Sequence, residues 1–212
     1  MIKTKEPHLI EAMVESIRNK IIIGEYAPGF KLSENTLAKE FNCSRTPIRE
    51  VIKRLEQDGL VKVIPHSGSY VYQRTAQENI EMIEVRASLE RLAFRLACDN
   101  NSSLTAIIML CEQMNESLLA DPVDYKLYGK LHYLFHRQLI ELSKNNLLLE
   151  LYDRLNLNNT SALFSGIMNE EEIALTIAEH NEILNLLKQR DKQKGCSFMF
   201  SHLWKKRNRI KH

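Results

Sequence analysis

Residues 32–72 constrain the fold of this chain more than any other segment. They run LSENTLAKEFNCSRTPIREVIKRLEQDGLVKVIPHSGSYVY, which is two short helical patterns followed by two apolar, β-forming runs that a Gly-containing turn connects. Helix, turn, helix and hairpin in this order predict a winged helix-turn-helix, whose second helix lies in the major groove of DNA. Double-stranded DNA is therefore the first expected partner.

The second helix of this segment carries the candidate DNA contacts. It is predicted to begin near Ser44 or Thr46, either of which can be the N-cap, because proline at position 47 is tolerated only in a first turn. The stripe with the spacing of a buried helix face consists of Ile48, Val51, Ile52 and Leu55. The candidate DNA contacts on its polar side are Ser44, Arg45, Thr46, Arg49 and Lys53. Arginine suits bidentate pairing with guanine. A basic helix face can also be merely solvated, but the surrounding pattern favours DNA binding.

A hairpin is predicted to follow this helix. The β-forming runs are residues 60–64 and 70–72, and residues 65–69 are expected to form the loop with Gly68 at its tip. The missing side chain of Gly68 would permit close approach to DNA. We therefore add His66 and Gly68 to the candidate DNA-contacting residues.

From residue 76 onward the patterns are helical. Helices are predicted over residues 79–97, 103–119, 125–142, 147–157, 162–168, 170–188 and 192–211, with Asn145 as a left-handed C-cap. The fold is thus expected to be mainly α, with a winged helix-turn-helix domain at 1–74 and an all-α bundle at 75–212.

Composition narrows the class of protein. The chain is 44% hydrophobic and 26% charged, no apolar run approaches the length of a membrane span, and the four cysteines are scattered. The charged N-terminus lacks the apolar core of a signal peptide. We therefore expect a cytoplasmic protein that does not enter membranes. Residues 1–74 hold 12 Lys and Arg against 9 Asp and Glu, whereas residues 75–203 hold 12 against 18, so the N-terminal part is the one suited to phosphates.

Four histidines of the helical part are candidate metal ligands. His132 and His136 are four residues apart and share a helix face, and His180 and His202 lie on the last two long helices. Imidazole is the commonest metal ligand, and bundles assemble such sites between facing helices. A helical histidine is also often only a hydrogen-bonded core or surface residue. Ligand type and spacing alone leave both alternatives open.

A family resemblance extends these predictions. Residues 32–71, with the core SRTPIRE and the wing residues GSYV, resemble the DNA-binding domain of the GntR superfamily of bacterial transcription regulators. The resemblance implies that Arg45, Thr46 and Arg49 contact bases or phosphates, together with Gly68 and its neighbours in the wing. Some relatives carry arginine where this chain has Asn35.

The C-terminal part resembles the FCD ligand-binding domain of the FadR subfamily, on the segments EVRASLERLAFRLA, LHYLFHRQLIELSKN, AEHNEIL and FMFSHL. Metal-binding members use an Asp-His-His-His set. His136, His180 and His202 match the three histidines, and His132 stands at the Asp position. The resemblance implies either a nitrogen-rich site for Zn or Ni or a metal-free polar pocket. Arg86 either binds a carboxylate of the ligand or forms an ion pair with Glu90.

The implied function is that of a homodimeric transcription regulator, a repressor by family default, which binds a palindromic operator and senses a small carboxylic acid. The alternative is a metal-dependent hydrolase built on the histidines. Such an enzyme needs a general base near the metal, and Glu179 is the obvious candidate. Because nothing in the sequence positions that base, we expect a regulator and not an enzyme.

Overall fold

The computed structural model describes residues 6–22, 24–156 and 169–210. Within them the chain divides into two compact units, with the boundary between Gln73 and Arg74. The first unit contains α1 (Glu6–Ile22), β1 (Lys31–Leu32), α2 (Glu34–Glu40), α3 (Arg45–Gln57), β2 (Val61–Ile64) and β3 (Gly68–Val71). Its order of elements is that of a winged helix-turn-helix.

The core of the first unit lies between α1 and α3. Helix α3 buries the apolar stripe that its sequence predicts, and the buried side chains of the two helices include Met13, Ile17, Ile21, Ile48, Val51 and Leu55. Burial of such side chains is the main force that holds α3 in place. Its polar side is consequently left facing outward.

Two caps define the helix-turn-helix. Ser33 caps α2, and its Oγ accepts a hydrogen bond from the Thr36 amide at 3.3 Å. Asn42 makes the turn with a φ of +50°. Of the two predicted N-caps of α3, Ser44 occupies the cap position with extended backbone, although its side chain makes no cap hydrogen bond, and Thr46 lies inside the helix.

The wing differs from the predicted hairpin in two ways. The sheet has three antiparallel strands in the order β1-β3-β2, and β1 was not predicted because two residues carry no readable alternation. Gly68 is not at the loop tip, because it pairs with Ile64 as the first residue of β3. The loop is Pro65, His66 and Ser67, and His66 takes the left-handed conformation at φ +63°. A Cβ on Gly68 would lie 3.0 Å from the Lys31 side chain, so glycine permits the approach of β1.

The second unit contains helices and no strand in its described residues. Its helices are α4 (Ala76–Asp99), α5 (Thr105–Leu119), α6 (Tyr125–Leu142), α7 (Asn146–Asn156), α8 (Glu170–Gln189) and α9 (Lys192–Ile210). Helix α4 begins three residues before the predicted start because Thr75 and Glu78 form a capping box. The helix predicted at 162–168 lies outside the described residues. No helix in the described ranges is both long enough and apolar enough to span a bilayer.

Helix α4 packs mainly on α9 and α6. At the crossing of α4 and α9, Gly195 lies against the Phe94 ring, and a Cβ there would come within 1.9 Å of that ring. The core around this crossing includes Ile107, Met114, Tyr128, Phe135, Leu139, Ile183 and Met199. The small residue thus sets how closely the last helix approaches α4.

The predicted C-cap at Asn145 is wrong by one residue. Lys144 has the left-handed backbone, with a φ of +55°. The Asn145 side chain instead accepts a hydrogen bond from the Leu148 amide at 3.0 Å, and so satisfies the N-terminus of α7. Asn145 therefore caps the start of α7 and does not end α6.

Candidate metal centre and nucleic-acid interface

The four predicted histidines converge at one point inside the bundle. His132 and His136 project from successive turns of α6, His180 from α8 and His202 from α9, and all four are buried. One ring nitrogen from each lies within 4.8 Å of the others. The apolar faces that pack these helices together therefore also bring the imidazoles together.

The separations between nitrogens suit a small cation. His132 Nε2 lies 3.2 Å from His136 Nε2, which lies 3.4 Å from His180 Nε2. Tetrahedral ligands with bonds of roughly 2.0–2.1 Å to zinc are about 3.3 Å apart. The widest separation in the set, 4.8 Å, would have to shorten for four equal bonds. The donor set thus fits a nitrogen-binding metal after a small inward movement.

Three of the imidazole rings are oriented by hydrogen bonds at Nδ1, the ring nitrogen on the side away from the centre. His136 Nδ1 lies 2.7 Å from Glu90 Oε2, His202 Nδ1 lies 2.8 Å from Glu179 Oε2, and His180 Nδ1 lies 2.7 Å from the Thr176 carbonyl oxygen. Because carbonyl and carboxylate oxygens accept, each Nδ1 donates. The Nε2 atoms are left to face the centre, as they do in carboxylate–histidine–metal arrangements.

Both carboxylates remain ionised against the cost of burial. Burial alone would raise the pKa of Glu90, but the charges and hydrogen bonds of His136 and Arg86 outweigh it and hold that pKa well below its usual range. Burial likewise opposes ionisation of Glu179, yet hydrogen bonds from His202 and Lys205 lower its pKa to about 2. Both groups thus orient imidazoles as carboxylates, and each is also paired with a cationic side chain, Glu90 with Arg86 and Glu179 with Lys205.

Arg86 forms the ion pair that was one of its two predicted roles. It is buried, and its Nε and Nη2 donate to Glu90 Oε1 at 2.9 and 2.7 Å. Nη2 also lies 3.5 Å from the Tyr152 hydroxyl. The guanidinium is thus linked to the histidines through Glu90, and its contact with an effector stays a prediction.

Glu179 is not placed as the base of a hydrolase. Its two carboxylate oxygens accept hydrogen bonds from His202 and Lys205. Glu179 therefore contacts His202 at Nδ1, the ring nitrogen opposite the Nε2 that faces the centre. The sequence placed Glu179 beside His180, but its structural partner is His202 on the neighbouring helix.

The candidate DNA contacts lie on the exposed side of the first unit. Ser44, Arg45, Thr46, Arg49 and Lys53 are exposed on or just before α3, and His66 is exposed in the loop, whereas Gly68 is half-buried. Arg49 is 66% exposed at its side chain, and its Nε donates to Glu34 Oε2 at 2.9 Å. That contact leaves both Nη groups of Arg49 available to a further acceptor.

Glu34, Glu90, Glu179 and Thr176 are site residues that sequence reasoning missed as partners. Glu34 acts across the turn between two helices, and Glu90 is 46 residues from His136. No local spacing signals such contacts. Of these contacts, sequence reasoning proposed only a related one, the Arg86–Glu90 ion pair, because its residues are four apart and so are neighbours on a helix.

Comparison with known proteins decides the family. Residues 9–71 match the bacterial regulatory proteins of the gntR family, and residues 81–204 match the FCD domain. The chain belongs to the GntR family. It is a transcription regulator of the GntR type with an FCD domain, and not an enzyme. GntR regulators bind DNA and a small-molecule effector, and FCD domains can bind metals.

The similarity of this GntR protein to its relatives extends over nearly its whole chain. The HTH-type transcriptional regulator YdhC of Bacillus subtilis is 28% identical over 92% of this chain and 88% of its own, and the HTH-type transcriptional repressor RspR of Escherichia coli is 25% identical over 88% and 82%. Among solved structures, Escherichia coli McbR/YncC has a TM-score of 0.81 at 22% identity and covers 99% of this chain and 98% of its own. A GntR transcriptional regulator from Rhodococcus sp. RHA1 has a TM-score of 0.80 at 22% identity, over 95% and 96%. These structures share the fold.

Proposed function

We propose that this protein is a homodimeric repressor that holds a palindromic operator with its winged units and releases it when an organic acid binds at a metal held by His132, His136, His180 and His202. The convergence of these four buried imidazoles carries the proposal. RspR, which is named a repressor, supports the sign of regulation.

DNA binding would use the polar side of α3 and the wing. Arg45, Thr46 and Arg49 lie in the first turns of α3, from which side chains of a recognition helix reach base edges. Ser44, Lys53 and the wing residues His66 and Gly68 would contact the backbone or the minor groove. A palindromic operator follows from the two-fold symmetry of a dimer.

The ligand type selects the class of metal. Imidazole nitrogens suit Zn and Ni, whereas Mg and Ca prefer oxygen ligands. His132 replaces a carboxylate by a neutral ring, so the four direct ligands would leave the charge of a divalent cation unneutralised. This is why we propose an anionic effector, whose carboxylate would bind to that charge.

Metal analysis of the purified full-length protein tests the first part. We expect close to one Zn or Ni per chain, and a His180→Ala variant should have lost it. His8, which is exposed on α1, provides the matched control, because His8→Ala should keep the metal. A protein that neither contains nor takes up Zn or Ni would contradict the metal site.

Operator release tests the second part. The operator can be selected from random duplexes, and the selected sequence should be palindromic. Organic acids are then titrated into the complex with metal-loaded and metal-free protein. We expect release by an acid only when the metal is present. Release by the same acid at equal concentration from metal-free protein would show that the histidines form a pocket without metal.

A further inference from the structure

The outer face of the wing sheet carries two lysines with a tyrosine between them. Lys31 of β1 and Lys62 of β2 are both Cα partners of Tyr70 on the central strand β3. Because side chains alternate along a strand and Ser69 and Val71 are buried, Tyr70 and the two lysines share the opposite, outer face. Both lysines are exposed. Lys31, Tyr70 and Lys62 thus form a basic, aromatic and basic row across the three strands, the wing row.

The Lys31 side chain is held in place by its neighbours. Its Nζ lies 5.6 Å from the centre of the Tyr70 ring, within the range of a cation–π contact. Its Cε lies 3.0 Å from where a Cβ of Gly68 would be, so the lysine crosses β3 in the space that glycine leaves. The Tyr70 hydroxyl lies 2.8 Å from Ser67 Oγ, and this hydrogen bond orients the ring. A side chain that is ordered in advance loses less entropy when it binds an anion.

The positive charge of the wing row is not neutralised by a nearby carboxylate. Within the ranges that the structure describes, neither Lys31 nor Lys62 forms an ion pair. Other cations of the same unit are neutralised, since Arg18, Lys20 and Arg54 each contact two carboxylates. The wing row therefore offers its charge to an external anion.

A polyanion with regularly spaced charges fits this row. Neighbouring strands are about 4.8 Å apart, so the Cα atoms of Lys31 and Lys62 lie about 10 Å apart across β3. Each DNA strand carries one phosphate per about 3.4 Å of helix axis, so both ammonium groups can contact phosphates of one backbone. Lysine is a point charge without the fork that pairs with a base, which favours phosphates over base edges. The row also adjoins the loop residue His66, a candidate DNA contact on the same hairpin.

We propose that the outer face of the wing sheet binds the phosphate backbone of duplex DNA through Lys31 and Lys62, and that Tyr70 and Gly68 position Lys31 for this contact. The inference rests on DNA binding by the winged unit, and it adds a contact that is independent of base sequence to the readout assigned to α3. In this role the missing side chain of Gly68 makes room for Lys31. The wing sheet thereby contributes to affinity, whereas α3 contributes to specificity.

Salt dependence tests the two lysine contacts. Full-length Lys31→Gln and Lys62→Gln are titrated with a labelled duplex of random sequence at several salt concentrations. Each variant should lower the magnitude of the slope of log affinity against log salt by about 0.9, the value for one phosphate contact, and the double variant should lower it by about 1.8. The selected operator should show the same decreases. Lys188→Gln, an exposed change of equal charge on α8, should leave the slope unchanged.

A double-mutant cycle tests the positioning role of Tyr70. Tyr70→Leu should weaken binding to the random duplex about two- to fivefold, the size of an exposed cation–π contact. In a Lys31→Gln background the same change should have no further effect, because the lysine that the ring positions is absent. Tyr70→Phe keeps the ring and should bind as the natural protein does. Equal losses in both backgrounds would show that Tyr70 only stabilises the sheet, and would overturn its positioning role.

The remaining outcomes separate this inference from the proposed regulator. Lysine on an edge strand also discourages pairing between the sheets of different molecules. Lysine variants that aggregate but keep the natural salt slope would assign the lysines to that role and overturn the phosphate contact. A loss confined to the operator would mean base readout and would overturn it too. If both lysine variants bind as the natural protein does while Arg49→Ala is weakened, only this inference fails, whereas a natural chain that binds no duplex overturns the regulator itself.

Discussion

Glu90 Oε2 lies 2.7 Å from His136 Nδ1, and both side chains are fully buried. The same carboxylate holds Arg86 through its other oxygen. One group thus orients a candidate metal ligand and neutralises a buried guanidinium, so its removal should affect both metal binding and folding.

Glu90→Gln should therefore be costly. The loss of the charge should weaken Zn or Ni binding by about 10–100-fold, the usual effect of losing an orienting partner. It should also lower the free energy of unfolding by about 3–5 kcal/mol, because Arg86 is left buried without its counter-charge. Competitive metal titration and urea denaturation measure the two effects. Glu112→Gln, on the exposed side of α5, should change neither; a Glu90→Gln protein with natural metal affinity would exclude the orienting role.

His132→Asp should tighten metal binding. It places a carboxylate at the position to which the family resemblance assigns an aspartate ligand, and so would partly neutralise the cation. The comparison is made by competition against a chelator, with His180→Ala as the variant that lacks metal. Operator binding by metal-free His180→Ala should remain close to that of the metal-free natural protein, because the winged unit is untouched. Weaker metal binding by His132→Asp would show that four nitrogens are the preferred set.

Metal affinity should fall as the pH drops below about 6. Ligand histidines must be deprotonated, so protons compete with the metal as the pH approaches the ordinary imidazole range. The carboxylates do not cause this loss, since Glu179 has a pKa of about 2. The stabilising effect of Glu179 is present above its unfolded pKa of roughly 4.3 and is lost only as the pH falls toward 2. Metal titrations between pH 5 and 8 measure the affinity, and circular dichroism verifies that the protein stays folded. A constant affinity over this range would contradict histidine ligands.

Arg49→Ala should weaken operator binding by about 1–3 kcal/mol and relax one base preference, if an Nη group of Arg49 pairs with a base. If Arg49 touches only phosphate, the loss will be uniform across sequences and the salt slope will fall by about one. Binding to an operator library at several salt concentrations distinguishes the two. Arg154→Ala, an exposed change in the helical unit, is the control. If Arg49→Ala binds every sequence with the affinity of the natural protein, the assignment of α3 as the recognition helix is wrong.

Gly195→Ala should destabilise the helical unit. The added methyl group would overlap the Phe94 ring, and such overpacking costs about 1–3 kcal/mol. Thermal unfolding of the full chain measures the loss, and Ser197→Ala, two residues along and exposed, should have little effect. A natural melting temperature for Gly195→Ala would mean that α9 can move away from α4 without penalty.

The features of the fold that could be predicted are those that follow from the periodicity of apolar residues or of histidines along a helix. The buried stripe of α3 and the shared helix face of His132 and His136 follow from 3.6 residues per turn, and the grouping of these two histidines with His180 and His202 followed from a family resemblance. Strand β1 is too short to show alternation, and the Gly68 register depends on pairing with Ile64. Whether Ser44 or Thr46 caps α3 was also undecided, because both side chains can cap. Partners such as Glu90 and Glu34 depend on tertiary packing, which a single sequence does not encode in its local spacing.

The four imidazoles come from three helices, and this has a consequence for the C-terminal end of the chain. His136 is 44 residues from His180, and α8 and α9 are joined by a turn at Arg190 and Asp191. One ion shared by these side chains would act as a cross-link between α6 and the last two helices. Loss of that ion should loosen α8 and α9 first, so the resistance of this end of the chain to proteases would report the supply of metal.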